Sequence, residues 1–216
     1  PGTKVEEATQ FTSALGGSAG NIAAAIARLG GCPDLFTAVS DDAVGRFVLG
    51  QLQQYGIGTR LVASVGGQHR NSLAVVETRS ENTQNVLYRN GAADFEVSLK
   101  QLERVDWKAF DCVIVTGTCL AVEPSRSVTF ELMEQARKSG VVVVLDVDYR
   151  PYSWKDVSEA GNICGRAAEL SDIVIGNDEE FAVLDGSGQG KELARKLAAN
   201  GKVSIYKMGG DGSVTY

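Results

Sequence analysis

Several short stretches of this 216-residue chain carry side chains that could bind or neutralise charge. In DVDYRP, Asp146, Asp148 and Arg150 follow the apolar run VVVVL. Pro151 disfavours helical geometry at Arg150, which helps end the strand and project that side chain. A guanidinium there can grip a carboxylate or phosphate bidentately. It can equally pair with the adjacent aspartates, and such pairs say little about function. In GNDEEF, Asn177 and Glu180 have the spacing of a capping box, and the same helix N-terminus suits an anion or a hydrated magnesium ion. In KMGGDG, Lys207, Gly209 and Gly212 read K-x-G-x-x-G, which alone describes a glycine-built turn between strands. Tyr88 and Arg89 leave a valine-rich region in LYRNGAAD, as lid residues or as plain surface.

GGSAGNIAAAIARLGG, from Gly16 to Gly31, looks at first like a phosphate loop. Its leading glycines, Gly16, Gly17 and Gly20, do not make GxGxxG after a strand, and no G-K-[ST] follows. Spacing alone makes it a tight turn before a helix whose alanines allow close packing. Asn21 stands out, because a polar amide among small residues is wasteful unless it bonds something.

Other chemistry is excluded by what the chain lacks. The single histidine, His69, lies in the turn GGQHRN, which reads as solvated and argues against His-rich zinc sites and a Ser–His–Asp triad. The acidic SDDAVG (40–45) reads as a helix start favoured by the dipole. Cys32, Cys112, Cys119 and Cys164 have no CxxC spacing and are expected to be reduced, mostly buried thiols of a cytoplasmic protein. Lys plus Arg is 21 against 27 for Asp plus Glu, a net charge of −6, so no nucleic-acid partner is expected. No apolar run approaches the roughly 20 residues of a membrane span, and PGTKVEEATQ resembles neither a signal nor a transit peptide, so no membrane partner is expected either.

The elements that must carry these residues alternate. The spacing predicts a helix over 21–29, a strand over 35–40 and a second helix after Asp41 and Asp42, stopped by Gly56. Residues 61–89 break the rhythm with short valine-rich runs that read as antiparallel strands of a small β appendage. Alternation then resumes: SLKQLERV with Ser98 as cap, the strand DCVIVTG, a helix between Pro124 and Gly140, and the strand VVVVLDVDY. A helix near 156–170, the strand 172–176, helices near 178–184 and 190–199, and VSIYKM joined through GGDG to SVTY complete it. This pattern means a three-layer α/β sheet. Ligands then bind beyond the carboxyl ends of its strands, at loops 115–118, 146–151, 175–180 and 207–212.

Taken in order, the motifs become specific. GG-xxx-N, A-x-x-x-A-R-L-G, AVSDDAVGRF, a β segment ending in YR, N-x-x-E and K-x-G-x-x-G together resemble the ribokinase-like (PfkB-type) carbohydrate kinase family over nearly the whole chain. Within it, NVLYRNGAADF, VTGTCLAVEPSRS, LDVDYRPYSW and IVIGNDEEF are most similar to kinases of 5-dehydro-2-deoxygluconate, a sugar acid of inositol breakdown, with 2-dehydro-3-deoxygluconate kinases as near relatives. The resemblance implies a doubly wound α/β/α sheet with a small β lid, formed by segments of about 9–15 and 59–90. It also implies phosphorylation of a sugar hydroxyl by ATP with Mg2+, and a homodimer paired through the lid. Gly16, Gly17, Asn21, Tyr88, Arg89 and Arg150 are then substrate residues, with Arg150 on the acid end or on phosphate. Asp148, Asn177, Lys207, Gly209 and Gly212 fall to ATP, and Glu180 to magnesium through water. The family's acidic first strand and its D-T-x-G-A-G-D signature do not occur here, so the resemblance puts the catalytic aspartate beyond Tyr216 and names no catalytic residue within the chain. A non-catalytic sugar- or nucleotide-binding module is the alternative from another class; a dinucleotide oxidoreductase is disfavoured by the missing GxGxxG.

Overall fold

In the computed structural model, which describes residues 2–79 and 81–216, the alanine-rich stretch forms helix α1 (Ser18–Arg28). It starts three residues earlier than the apolar spacing suggests, with Gly17 as N-cap. Strand β1 (Thr37–Ser40), helix α2 (Ala43–Gln54) and strand β2 (Val62–Val65) follow. Ala23, Leu52 and Ile57 form the core here, with Leu15, Leu35, Val48 and Val62 packed against it. Asp42 caps α2, accepting from Val44 N at 2.9 Å and Gly45 N at 3.1 Å. A Cβ on Gly45 would lie 1.8 Å from the Ser40 carbonyl oxygen, so only glycine lets the helix begin so close to the strand end.

β1 and β2 pair in parallel, Thr37 opposite Val62. This corrects the expectation of antiparallel strands throughout 61–89. Helix α2 carries the chain back between them, so β2 runs in the direction of β1. Only β3 (Leu73–Val76) and β4 (Asn85–Tyr88) are antiparallel. The hairpin is largely exposed, with Leu73, Val76, Val86, Leu87 and Tyr88 open to solvent. At its far end the buried Glu77 accepts from Val5 N at 3.0 Å and Gln84 N at 3.1 Å, tying the N-terminal segment to the hairpin. All of this lies in one compact unit, Pro1–Val97.

The second unit, Ser98–Tyr216, holds the larger sheet. Helix α3 (Leu99–Leu102) is one turn long, shorter than SLKQLERV suggests, because the next amides, Arg104 N and Val105 N, bond three residues back to the Gln101 and Leu102 carbonyls at 3.2 and 3.0 Å. Then come β5 (Cys112–Thr116), α4 (Ser125–Lys138), β6 (Val142–Asp146), α5 (Val157–Leu170), β7 (Ile173–Asn177), α6 (Asp178–Asp185), α7 (Gly190–Ala199), β8 (Val203–Lys207) and β9 (Ser213–Thr215). The sheet order is β5-β6-β7-β8-β9; the first four are parallel and β9 is antiparallel. Val143, Val144 and Leu145 are all buried, and successive strand residues face opposite sides, so both faces of β6 are covered. β6 stops at Asp146, short of VVVVLDVDY, because Asp148 turns to a φ of 38°.

The cysteines are free, but only Cys164 is buried; Cys32 and Cys112 are exposed and Cys119 is intermediate. The expectation of mostly buried thiols is corrected: Cys112 opens the first strand of the sheet order and Cys32 lies in the loop after α1. Among the described residues, no helix is long and apolar enough to cross a membrane.

Candidate active site

The carboxyl ends of the parallel strands collect the charged residues, as the α/β rule requires. Thr116 on β5 sits opposite Asp146 on β6, and Asn177 on β7 opposite Lys207 on β8. Lys207 Nζ donates to Asp146 Oδ1 at 3.3 Å and lies 3.9 Å from Glu180 Oε2. Asn177 and Glu180 form the full capping box: Glu180 N donates to Asn177 Oδ1 at 2.9 Å and Asn177 N to Glu180 Oε2 at 2.7 Å. Gly176 makes the immediate strand-to-helix turn feasible, since a Cβ there would press on the Phe181 ring at 3.0 Å.

Glu180 is buried, and burial pushes its carboxyl above the ordinary glutamate value. The negative charges of Asp146 and Asp148 push the same way, while the Asn177 N–H and Lys207 oppose them. Arg150 Nη2 lies 2.6 Å from Oδ1 of the buried Asp148. Arg150 itself is extended and half exposed, as Pro151 demands. Gly209 and Gly212 both have positive φ and shape the turn after Lys207, which Met208 N closes on the Gly212 carbonyl at 2.8 Å.

This arrangement can hold a polyanion. The capping box occupies Asn177 Oδ1 and leaves the side-chain amide hydrogens for an acceptor, at a helix N-terminus. Lys207 and Arg150 supply positive charge, each steadied by an aspartate. Among the described residues, no group of three His, Cys, Asp or Glu could enclose a metal ion. Glu180 Oε1 takes part in none of these bonds, so the residues suit a water-mediated ion rather than a protein cage.

Asp146 stood out in the sequence only as part of DVDYRP, and Gly117 only within the strand-end loop 115–118; neither was given a role there. Asp146 is the hydrogen-bonded partner of Lys207, and its place at the end of a buried strand was the available signal. A Cβ on Gly117 would lie 2.0 Å from the Val147 carbonyl oxygen, so two neighbouring strand-end loops touch through a glycine. Its place in the strand-end loop 115–118, directly after DCVIVT, was the signal.

The remaining predicted residues lie in the first unit. Gly17 has a φ of 90°, while Gly16 has open space where a Cβ would be. Asn21 is exposed, so the idea that its amide needs an internal partner does not apply. Tyr88 lines a cavity of about 230 Å³ together with Arg70, Asn71, Leu87 and Asn90. Gly16, Gly17, Asn21 and Arg89 do not line it. Arg89 instead donates to Asp94 at 2.7 Å and stacks over Phe95 at 4.2 Å.

All 216 residues, 1–216, match the family model described as pfkB family carbohydrate kinase. The chain belongs to the pfkB family of carbohydrate kinases. Among pfkB relatives, it is 40% identical to the 5-dehydro-2-deoxygluconokinase of Photobacterium profundum, over 99% of the chain and 66% of that protein. It is 37% identical to the 5-dehydro-2-deoxygluconokinase of Geobacillus kaustophilus, over 98% of the chain and 65% of that protein. The chain therefore spans about two thirds of the length of these curated relatives. Its fold is that of a fructokinase from Xylella fastidiosa solved with bound ATP, at a TM-score of 0.87 and 20% identity, over 100% of the chain and 70% of that one. The ribokinase-like α/β class expected from the motifs is thus the pfkB fold observed.

Proposed function

We propose that this chain is the larger part of an ATP-dependent sugar-acid kinase acting on the primary hydroxyl of 5-dehydro-2-deoxygluconate. The observation that carries the reading is the 40% identity, over 99% of the chain, to a 5-dehydro-2-deoxygluconokinase. In this reading Asn177, Lys207 and the turn at Gly209 and Gly212 receive ATP, with Asp148 holding Arg150 in place beside them. Arg150 meets the acid end of the substrate or the transferred phosphate. Glu180 meets magnesium through water, and the ion supplies charge neutralisation on the phosphates. Gly16, Gly17 and Asn21 form the floor for the sugar hydroxyls, and Tyr88 and Arg89 belong to a lid made of segments of about 9–15 and 59–90, the β3–β4 hairpin included. The exposed apolar residues of that hairpin suit pairing with a second copy. Free cysteines suit a cytoplasmic setting. No general base is assigned among these residues; their contribution is positioning and charge neutralisation.

A coupled ADP-release assay of the intact protein on 5-dehydro-2-deoxygluconate, 2-dehydro-3-deoxygluconate and fructose, with and without magnesium, tests this. The first acceptor is expected to have the highest kcat/KM. A higher value for another acceptor overturns the substrate, and ATP binding without turnover on any of them points to a binding module instead.

A further inference from the structure

We propose that the cavity beside the β3–β4 hairpin holds the carboxylate of the sugar acid, and that Arg70 is the residue selecting an acid over a neutral sugar. This rests on the kinase reading above.

Location favours this cavity. Ser40 N, at the carboxyl end of β1, donates to Asn71 Oδ1 at 2.7 Å. Ala93 N donates to the Arg70 carbonyl at 2.8 Å, which ties the same segment to the chain leaving the hairpin. The cavity is therefore anchored at the end of a parallel strand where α/β proteins bind ligands.

An unmatched donor belongs to one of the residues lining the cavity. A backbone N–H needs an oxygen, so the bond from Ser40 fixes which way the Asn71 amide points. Its Nδ2 is left buried with no hydrogen-bond partner. Folded proteins leave few such donors unpaired, so among the lining residues Asn71 has unmet hydrogen-bonding capacity.

Charge agrees. The lining residues Arg70, Asn71, Leu87, Tyr88 and Asn90 include one cation, two amides and a phenol, and no carboxylate. Arg70 Nη1 donates to the carbonyls of Gly67 at 3.1 Å and His69 at 2.7 Å, which holds the guanidinium in place. Asp42 Oδ2 forms an ion pair with Nε at 3.7 Å, too long for a hydrogen bond. Nη2 is uninvolved in these contacts, on a side chain 65% exposed. Arg150 is held by Asp148 at 2.6 Å, which leaves it the transferred phosphate, the other of its two proposed roles. At about 230 Å³ the cavity is below the roughly 300–1,000 Å³ of drug-sized sites, and suits one end of a sugar acid better than a nucleotide.

The test uses the intact enzyme with saturating ATP and two acceptors, 5-dehydro-2-deoxygluconate and the analogue whose carboxylate is replaced by a primary amide. Arg70→Ala is expected to raise KM for the acid about ten- to hundredfold, with kcat and the amide's KM moving less than about threefold. Should Arg70→Ala fail to fold, Arg70→Gln removes the charge while keeping a donor for the Gly67 and His69 carbonyls, and the same split is expected. Equal KM rises for both acceptors, or an unchanged KM for the acid, in either folded variant overturns the assignment. Wild-type enzyme that phosphorylates no sugar acid overturns the parent kinase reading instead.

Discussion

Asn177 is placed to serve both the helix and the nucleotide, and two substitutions separate these roles. Asn177→Ala removes the acceptor for Glu180 N, a bond of 2.9 Å, but keeps the backbone donor to Glu180 Oε2 at 2.7 Å. Half the capping box is lost, at a cost of about 1 kcal/mol. For a chain of this size that lowers the unfolding midpoint by about 2–4 °C. Asn177→Asp keeps the acceptor, and aspartate caps about as well as asparagine. The first turn already holds Asp178, Glu179 and Glu180, so a further negative charge gains little from the helix dipole. Its stability should stay within about 0.5 kcal/mol of wild type. ATP responds differently, because both variants lose the amide hydrogens that would meet a phosphate. A hydrogen bond to a charged group contributes about 1.5–3 kcal/mol, so ATP should bind about 10- to 150-fold more weakly to each. Thermal unfolding without ligand and calorimetric titration with ATP read the two quantities independently. If Asn177→Asp binds ATP within about threefold of wild type, Asn177 is a cap and nothing more, and the phosphate role is refuted.

Gly16 and Gly17, the first two glycines of GGSAGNIAAAIARLGG, should also separate. Gly17→Ala forces a side chain onto a φ of 90° and should cost about 1–3 kcal/mol in urea unfolding, whereas Gly16→Ala, with open space at its Cβ, should cost under about 0.5 kcal/mol. Equal costs would mean that backbone conformation is not what requires glycine at Gly17. Glu180→Gln tests the buried carboxyl through pH. The folded state holds this proton more tightly than the unfolded chain, so ionisation disfavours folding once pH rises through the ordinary glutamate value and beyond the raised one. Glu180→Gln should therefore unfold at a higher temperature than wild type at about pH 8, with the difference vanishing near pH 4. A constant difference across that range would show that burial of charge is not the cause.

Local rules made much of this molecule legible in its residues. Apolar runs of four or five marked β5 and β6, and shorter ones marked β7 and β8, because strands covered on both faces are largely apolar. Asn177 followed by Glu180 announced the capping box, since that motif is closed within one helical turn. The order of motifs carried the family, while each motif alone was ambiguous.

Tertiary structure decided what depends on partners distant in sequence. The direction of β2 required knowing that it pairs with β1, and hydropathy alternation is the same for parallel and antiparallel exposed strands. The exposure of Asn21 depends on which side of α1 faces the core, and that is decided by what packs against the helix. Asp146 became a partner of Lys207 across 61 residues of sequence. Arg70 and Asn71 drew no notice as letters, because a cavity and an unmatched donor exist only once the hairpin folds back beside the end of β1. Composition and spacing determined which elements form and which family they belong to; packing decided which polar groups are left facing a ligand.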